Sequence, residues 1–147
     1  MRIISHRGNI RGSNLLTENS PKQVELAIKV GYDVEIDLRV FGGKLYLGHD
    51  YPKYKIRPLW LYNHSKFLWI HCKDPGALEI MNTHYKYMNY FTHDKDPYTI
   101  TSFGIVWCHP DSMYIPGGVW LFPEQKDDII PTGCYAICTD WPEKYHV

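Results

Sequence analysis

Apolar and polar residues alternate without a fault from Val34 to Val40. Val34, Ile36, Leu38 and Val40 fall on one face of a strand, and Glu35, Asp37 and Arg39 on the other. Gly42-Gly43 marks a tight hairpin turn into a second strand over 44–49. Shorter apolar runs predict strands over 2–6, 67–72, 87–92, 104–109, 118–122 and 134–139. Helical signals are clear twice. Ser20 is an N-cap, Pro21 suits the first helical position, and Gln23 completes a capping box. Val24, Ala27 and Ile28 form the apolar stripe of that helix, and Gly31 stops it. Asp74-Pro75, followed by Ala77-Leu78-Glu79-Ile80-Met81, predicts a second helix of about two or three turns. The stretch 51–66 is basic, aromatic and proline-bearing; it reads as a loop with room for one helical turn.

This order of elements is that of an α/β fold. Most predicted strands end in a polar or ionisable residue: His6, Asp37, Lys73, His93, His109 and Asp140. In a parallel barrel such ends gather on one rim, where active sites lie. An eight-fold barrel takes roughly 250 residues, and the chain has 147. The later strands follow one another too closely for full helices. The expectation is one domain over 1–147, a compact TIM-type (β/α) barrel with several outer helices reduced or missing. Strands left bare on the outside would favour a homodimer.

Composition narrows the function classes. Sixteen basic and sixteen acidic residues give a formal net charge of zero, with no long run of one sign. That balance disfavours a nucleic-acid groove or an anionic membrane surface. No apolar stretch is long enough to span a bilayer, and Met1–His6 turns polar too soon for a signal peptide, so the expected compartment is the cytoplasm. Cys72, Cys108, Cys134 and Cys138 form no C-x-x-C pair, and in a reducing compartment they read as thiols. Aromatic residues make up 15% of the chain, a thick core or a surface covered by a partner subunit.

Two carboxylates two residues apart on a strand point to one side. Glu35 and Asp37 therefore favour a cation between them, and hard oxygen ligands suit Mg²⁺ or Ca²⁺. Taken alone, the segment fits a strand with its acids in water better than a site. His6 and His49 titrate near neutrality and suit proton transfer. Arg7 can fork onto phosphate oxygens. Lys73 shares a strand face with His71. His93, Asp94, His109 and Glu124 fall at or just past strand ends and are further candidates for lining a pocket.

Six pieces fall in one order along the chain: His6-Arg7-Gly8, Glu18-Asn19, Glu35-Ile36-Asp37, His49-Asp50, Lys73 and Thr139-Asp140-Trp141-Pro142. Together they resemble the active-site signature of the glycerophosphodiester phosphodiesterase family. The resemblance implies a metal-dependent phosphodiester hydrolase with Glu35 and Asp37 on the metal and His6 and His49 as general base and acid. It also implies Arg7 and Lys73 on phosphate, and Glu18, Asn19 and Asp50 in support. Thr139-Asp140 would close the barrel beside the first strand. The family has Glu-x-Lys where this chain has His71-Cys72-Lys73. His71 then stands as a nitrogen ligand or as a phosphate contact, and the expected metal is Mg²⁺ first, then Mn²⁺ or Ca²⁺. The expected substrate is a small-molecule phosphodiester whose alcohol the sequence does not name. Water or a neighbouring substrate hydroxyl would attack. The missing glutamate also fits a second reading, a non-catalytic phosphate-binding module, and a third, a sugar-phosphate isomerase or lyase on the same scaffold.

Overall fold

The computed structural model describes residues 1–146. In chain order it contains β1 (Arg2–His6), α1 (Pro21–Val30), β2 (Asp33–Phe41), β3 (Lys44–Leu47), β4 (Tyr54–Ile56), α2 (Pro58–His64), β5 (Leu68–Cys72) and α3 (Pro75–His84). Then follow β6 (Tyr90–Phe91), β7 (Tyr98–Ile100), β8 (Val106–Cys108), β9 (Val119–Leu121), β10 (Ala136–Thr139) and α4 (Pro142–Tyr145). The fold is mixed α/β, with ten strands in one sheet.

Seven strands, in the order β6-β5-β2-β1-β10-β9-β8, run parallel to their neighbours. Strand β2 outlasts β1, and its free second half pairs antiparallel with β3, which pairs with β4. At the other end β7 runs antiparallel to β8. The ladder does not close into a ring. Its two ends nonetheless meet: Ser102 N donates to Tyr90 O at 2.7 Å, and Thr99 Oγ1 to Thr92 O at 2.9 Å.

Two apolar cores result. Val34, Ile36, Leu38 and Ile70 pack with Val24, Ala27 and Met81 of the helices. Ile4, Trp69, Phe91, Trp107, Val119, Leu121, Ala136 and Cys138 form the second, with Trp107 against Phe91 at 4.7 Å and Trp69 at 6.0 Å between ring centroids. The alternation in β2 therefore does not separate core from water. Glu35 and Asp37 are buried as well, only 2% and 1% exposed.

Helix α1 starts at Ser20, whose Oγ accepts from Gln23 N at 3.2 Å, and ends at Gly31 in the left-handed region. The expected capping box is only half formed. Gln23 Nε2 donates instead to Gly8 O at 2.9 Å, tying the helix to the loop after β1. The stretch 51–66 is not a loop: it holds β4, α2 and a 3₁₀ turn over Ser65–Phe67. The strand expected over 44–49 stops at Leu47, and that over 87–92 shrinks to Tyr90–Phe91. Among the described residues beyond β6, the one α-helix is α4, of four residues. There the chain's loops cover the sheet, with Lys126 Nζ 3.4 Å from the Trp120 ring centroid and Tyr114 edge-on to the same ring. All four cysteines are free thiols, three of them buried. No described helix is long and apolar enough to cross a membrane.

Candidate metal centre and active site

Strand register assembles the site. His6 pairs with Glu35 across β1 and β2, and Asp37 pairs with His71 across β2 and β5. Four side chains from three adjacent parallel strands thus share one face. One ligand atom each from Glu35, Asp37 and His71 lies within 4.8 Å of the others. His71 Nδ1 is 3.4 Å from Asp37 Oδ1 and 3.6 Å from Glu35 Oε1, ion-pair distances rather than directed hydrogen bonds. Glu35 Oε2 and Asp37 Oδ1 are buried without a hydrogen-bond partner. Buried carboxylate oxygens without a donor are costly, and a divalent cation would satisfy both.

The donor set fits such an ion. Two oxygens on one cation lie up to roughly 4–5 Å apart, the spread seen here. His71 Nε2 lies 3.1 Å from His93 O, an acceptor only, which places a proton on Nε2 and leaves Nδ1 toward the carboxylates. Burial opposes charge on His71, but the contacts to Asp37 and Glu35 outweigh it and raise its pKa to about 9. Burial likewise opposes ionisation of Asp37, and His71, Arg7 and Asn19 together hold its carboxyl well below the usual range. Metal-free, these contacts favour an imidazolium between the two carboxylates.

That gives a pH signature. His71 has a raised folded pKa, so its stabilisation is complete below about 6.5 and is lost as pH rises through about 9. Asp37 has a lowered one, so its stabilisation holds above about 3.8 and is lost below. Thermal melts in chelator should therefore peak in mildly acidic buffer and fall toward pH 9. The His71→Gln protein should lose that alkaline fall. An unchanged alkaline slope in the variant would show that His71 is neutral in the metal-free protein.

His6 is held from its other side. Its Nδ1 is 2.8 Å from Asp140 Oδ1, while Nε2 faces Glu35 Oε2 at 3.9 Å. Asp140 follows β10, which pairs with β1 in the register Ser5–Thr139. Asn9 Nδ2 donates to the same Asp140 oxygen at 2.9 Å, and Gly12 N donates to Asp140 O at 2.8 Å. Burial opposes the charge on both partners, but their mutual contact prevails. It lowers the Asp140 pKa and, with Glu35, raises that of His6. Asp140 thus does more than close the strand; it fixes the tautomer that leaves the Nε2 lone pair facing the cluster.

Asn19 clamps Asp37 twice, donating from Nδ2 to Oδ2 at 2.8 Å and accepting from Asp37 N at 3.0 Å. Arg7 lies between Asp37 Oδ2 and Glu18 Oε1, at 3.1 Å from each. Nη1 donates to Glu18, while Nε faces Asp37 as an ion pair without a directed hydrogen bond. Arg7 and Asn19 both sit at positive φ, 54° and 62°, a strained backbone kept at the site. Lys73, at the end of β5, is half-buried and makes no ion pair among the described residues.

His49 stands apart. It is paired with Asp50 at 2.7 Å, and among the described residues no hydrogen bond or ion pair joins it to the Glu35–Asp37–His71 cluster. A cavity of about 220 Å³ separates His49 and Asp50 from Glu18 and Asn19. Arg39, on the same strand as the two acids, donates to the carbonyls of Gly48 and His49 and so sets this loop. A Cβ on Gly48 would come within 2.1 Å of Tyr51 O, so the turn before His49 requires glycine. Of the other strand-end candidates, Glu124 accepts from Thr139 Oγ1 and Asp140 N. The His93 and His109 rings lie 5.4 Å apart, and Asp94 is exposed.

Comparison with protein-family models, curated proteins and solved structures finds no match to this chain.

Proposed function

We propose that the chain is a metal-dependent phosphodiester hydrolase of the glycerophosphodiester phosphodiesterase type, on a compact barrel with several outer helices reduced. One observation carries this reading: His6 Nε2 lies 3.9 Å from Glu35 Oε2, beside a buried Glu35–Asp37–His71 cluster with two unpartnered carboxylate oxygens. Phosphodiesters resist hydrolysis because their charge repels nucleophiles and the alkoxide leaves poorly. Glu35, Asp37 and His71 Nδ1 would hold the ion, Mg²⁺ first, then Mn²⁺ or Ca²⁺. When bound, such an ion supplies charge neutralisation and Lewis acidity at the phosphate. His6 Nε2 takes the proton of the attacking hydroxyl, with Asp140 stabilising the imidazolium that forms. His49, paired with Asp50, gives a proton to the leaving oxygen. Lys73 and the remaining donors of Arg7 hold phosphate oxygens.

His71 also supports the second reading. As an imidazolium it neutralises the carboxylates without a metal, which suits a phosphate-binding module without turnover. Hydrolysis of bis(p-nitrophenyl) phosphate and glycerophosphodiesters by metal-free protein, then with Mg²⁺, Mn²⁺ or Ca²⁺, separates the two. Turnover that appears with metal and vanishes in Glu35→Ala is the expected result. Folded protein that binds phosphate and turns over nothing with any of these metals would establish the binding module.

A further inference from the structure

Leu15 and Leu16 are 75% and 85% exposed, on the loop between β1 and α1. This loop is ordered. Asn14 Oδ1 accepts from Leu16 N at 3.0 Å, and Asn14 O accepts from Thr17 N and Glu18 N. A hydrogen-bonded turn therefore projects two adjacent leucines into water. Strand β4 is attached beneath it: Lys53 Nζ and Tyr54 OH reach the carbonyls of Leu15 and Leu16, each at 3.4 Å.

The surface around the leucines is basic. From Tyr51 to Lys73 the chain carries Lys53, Lys55, Arg57, Lys66 and Lys73 and no acidic residue. The net charge of zero conceals this segregation. Lys53, Lys55 and Arg57 are exposed, as are Tyr51 and Leu59 at 56% and 64%. Lys55, Arg57 and Leu59 border one shallow depression with Trp60 and Pro21; Leu15, Tyr51 and Lys53 line the cavity beside His49. Two acids lie along this face, Asp50 paired with His49 and Glu25 accepting from Trp60 Nε1.

We propose that this face docks the protein on an anionic lipid bilayer. Leu15 and Leu16 would insert at the headgroup–acyl boundary, Tyr51 would lie at headgroup level, and Lys53, Lys55 and Arg57 would meet lipid phosphates through long flexible stems. A protruding leucine pair suits a soft apolar medium better than a flat protein partner. A symmetric second copy is disfavoured by charge, since an isologous interface sets a patch against itself and would bring Lys53, Lys55 and Arg57 against like charges. Docking places the bilayer at the edge of the candidate site, because the leucine loop continues into Glu18 and Asn19. A lipid phosphodiester as substrate is the corollary, and that part rests on the phosphodiesterase reading.

The test is co-sedimentation of the whole chain with vesicles of phosphatidylcholine alone or mixed with phosphatidylglycerol. Binding to the mixed vesicles, weakened by added salt, is expected. Partitioning should fall about tenfold or more in Leu15→Ser/Leu16→Ser and in Lys53→Glu/Lys55→Glu. Thermal melts and turnover of bis(p-nitrophenyl) phosphate should stay at wild-type values in the leucine variant. No binding to mixed vesicles, or undiminished binding by the leucine variant, overturns the proposal. So does a dimer in light scattering that the leucine variant abolishes while vesicles bind neither protein. Binding that persists in Glu35→Ala separates docking from hydrolysis, so a failure of the phosphodiesterase reading leaves docking standing.

Discussion

Replacing Asp37 by alanine should destabilise the metal-free protein by about 3 kcal/mol and abolish turnover. Asp37 is the hub of the site. It accepts from Asn19, gives its own N–H to Asn19, and lies against both Arg7 and His71. Truncation strands the Asn19 amide and leaves Arg7 with Glu18 as its one carboxylate partner. Breaking a buried ion pair costs roughly 3–5 kcal/mol. The lower end applies because His71 can shed its proton. Glu35 should behave in the opposite way. Its Oε2 has no donor, and the nearest histidine nitrogens stand 3.6 Å from Oε1 (His71) and 3.9 Å from Oε2 (His6). Glu35→Gln should therefore leave metal-free stability within about 1 kcal/mol of wild type, or raise it, while metal binding and turnover are lost. Urea unfolding with chelator and with Mg²⁺ measures both. Equal costs for the two substitutions would refute the unequal roles given to these carboxylates.

His6→Ala should lower turnover by about 10²–10⁴-fold, the usual contribution of a general base. Asp140→Asn should approach that loss although Asp140 touches no reacting atom, because an amide at this position can donate to Nδ1 and move the proton to Nε2. The pH–rate profile distinguishes positioning from simple structural damage. Asp140 and Glu35 raise the His6 pKa, so the acid limb of the wild-type profile should lie above the ordinary histidine value. In Asp140→Asn that limb should move down. A variant with reduced turnover and an unmoved limb would assign Asp140 to structure alone.

The most regular parts of the fold were legible in the sequence. Strand β2 shows a clean two-residue period, and α1 carries its cap, its stripe and its stop within twelve residues, Ser20 to Gly31. By contrast β4 and α2 bury only Ile56 and Leu61 between them, too few positions to reveal a period. Strand β7 has three residues, none fully buried, and depends on β8 for its existence. The site divides in the same way. Glu35 and Asp37 could be read from one short segment, and His71 and Lys73 from another. The role of Asp140 could not, because its partner lies 134 positions away and no local pattern encodes strand register. Arg39 sits on the acidic face by alternation, yet it holds the loop of His49. The direction of a long side chain is decided by tertiary neighbours that a period of two does not contain.

The pairing of β1 with β10 also has a consequence in time. During synthesis His6 leaves the ribosome 134 residues ahead of the carboxylate that orients it. At roughly 5–20 residues per second, that is an interval on the order of ten seconds. Until β10 arrives, one edge of β1 lacks the partner it has in the folded chain. A nascent chain can bring Glu35, Asp37 and His71 together while the base still lacks its fixed tautomer. Ligand capture would then precede competence for proton transfer, which waits for β10.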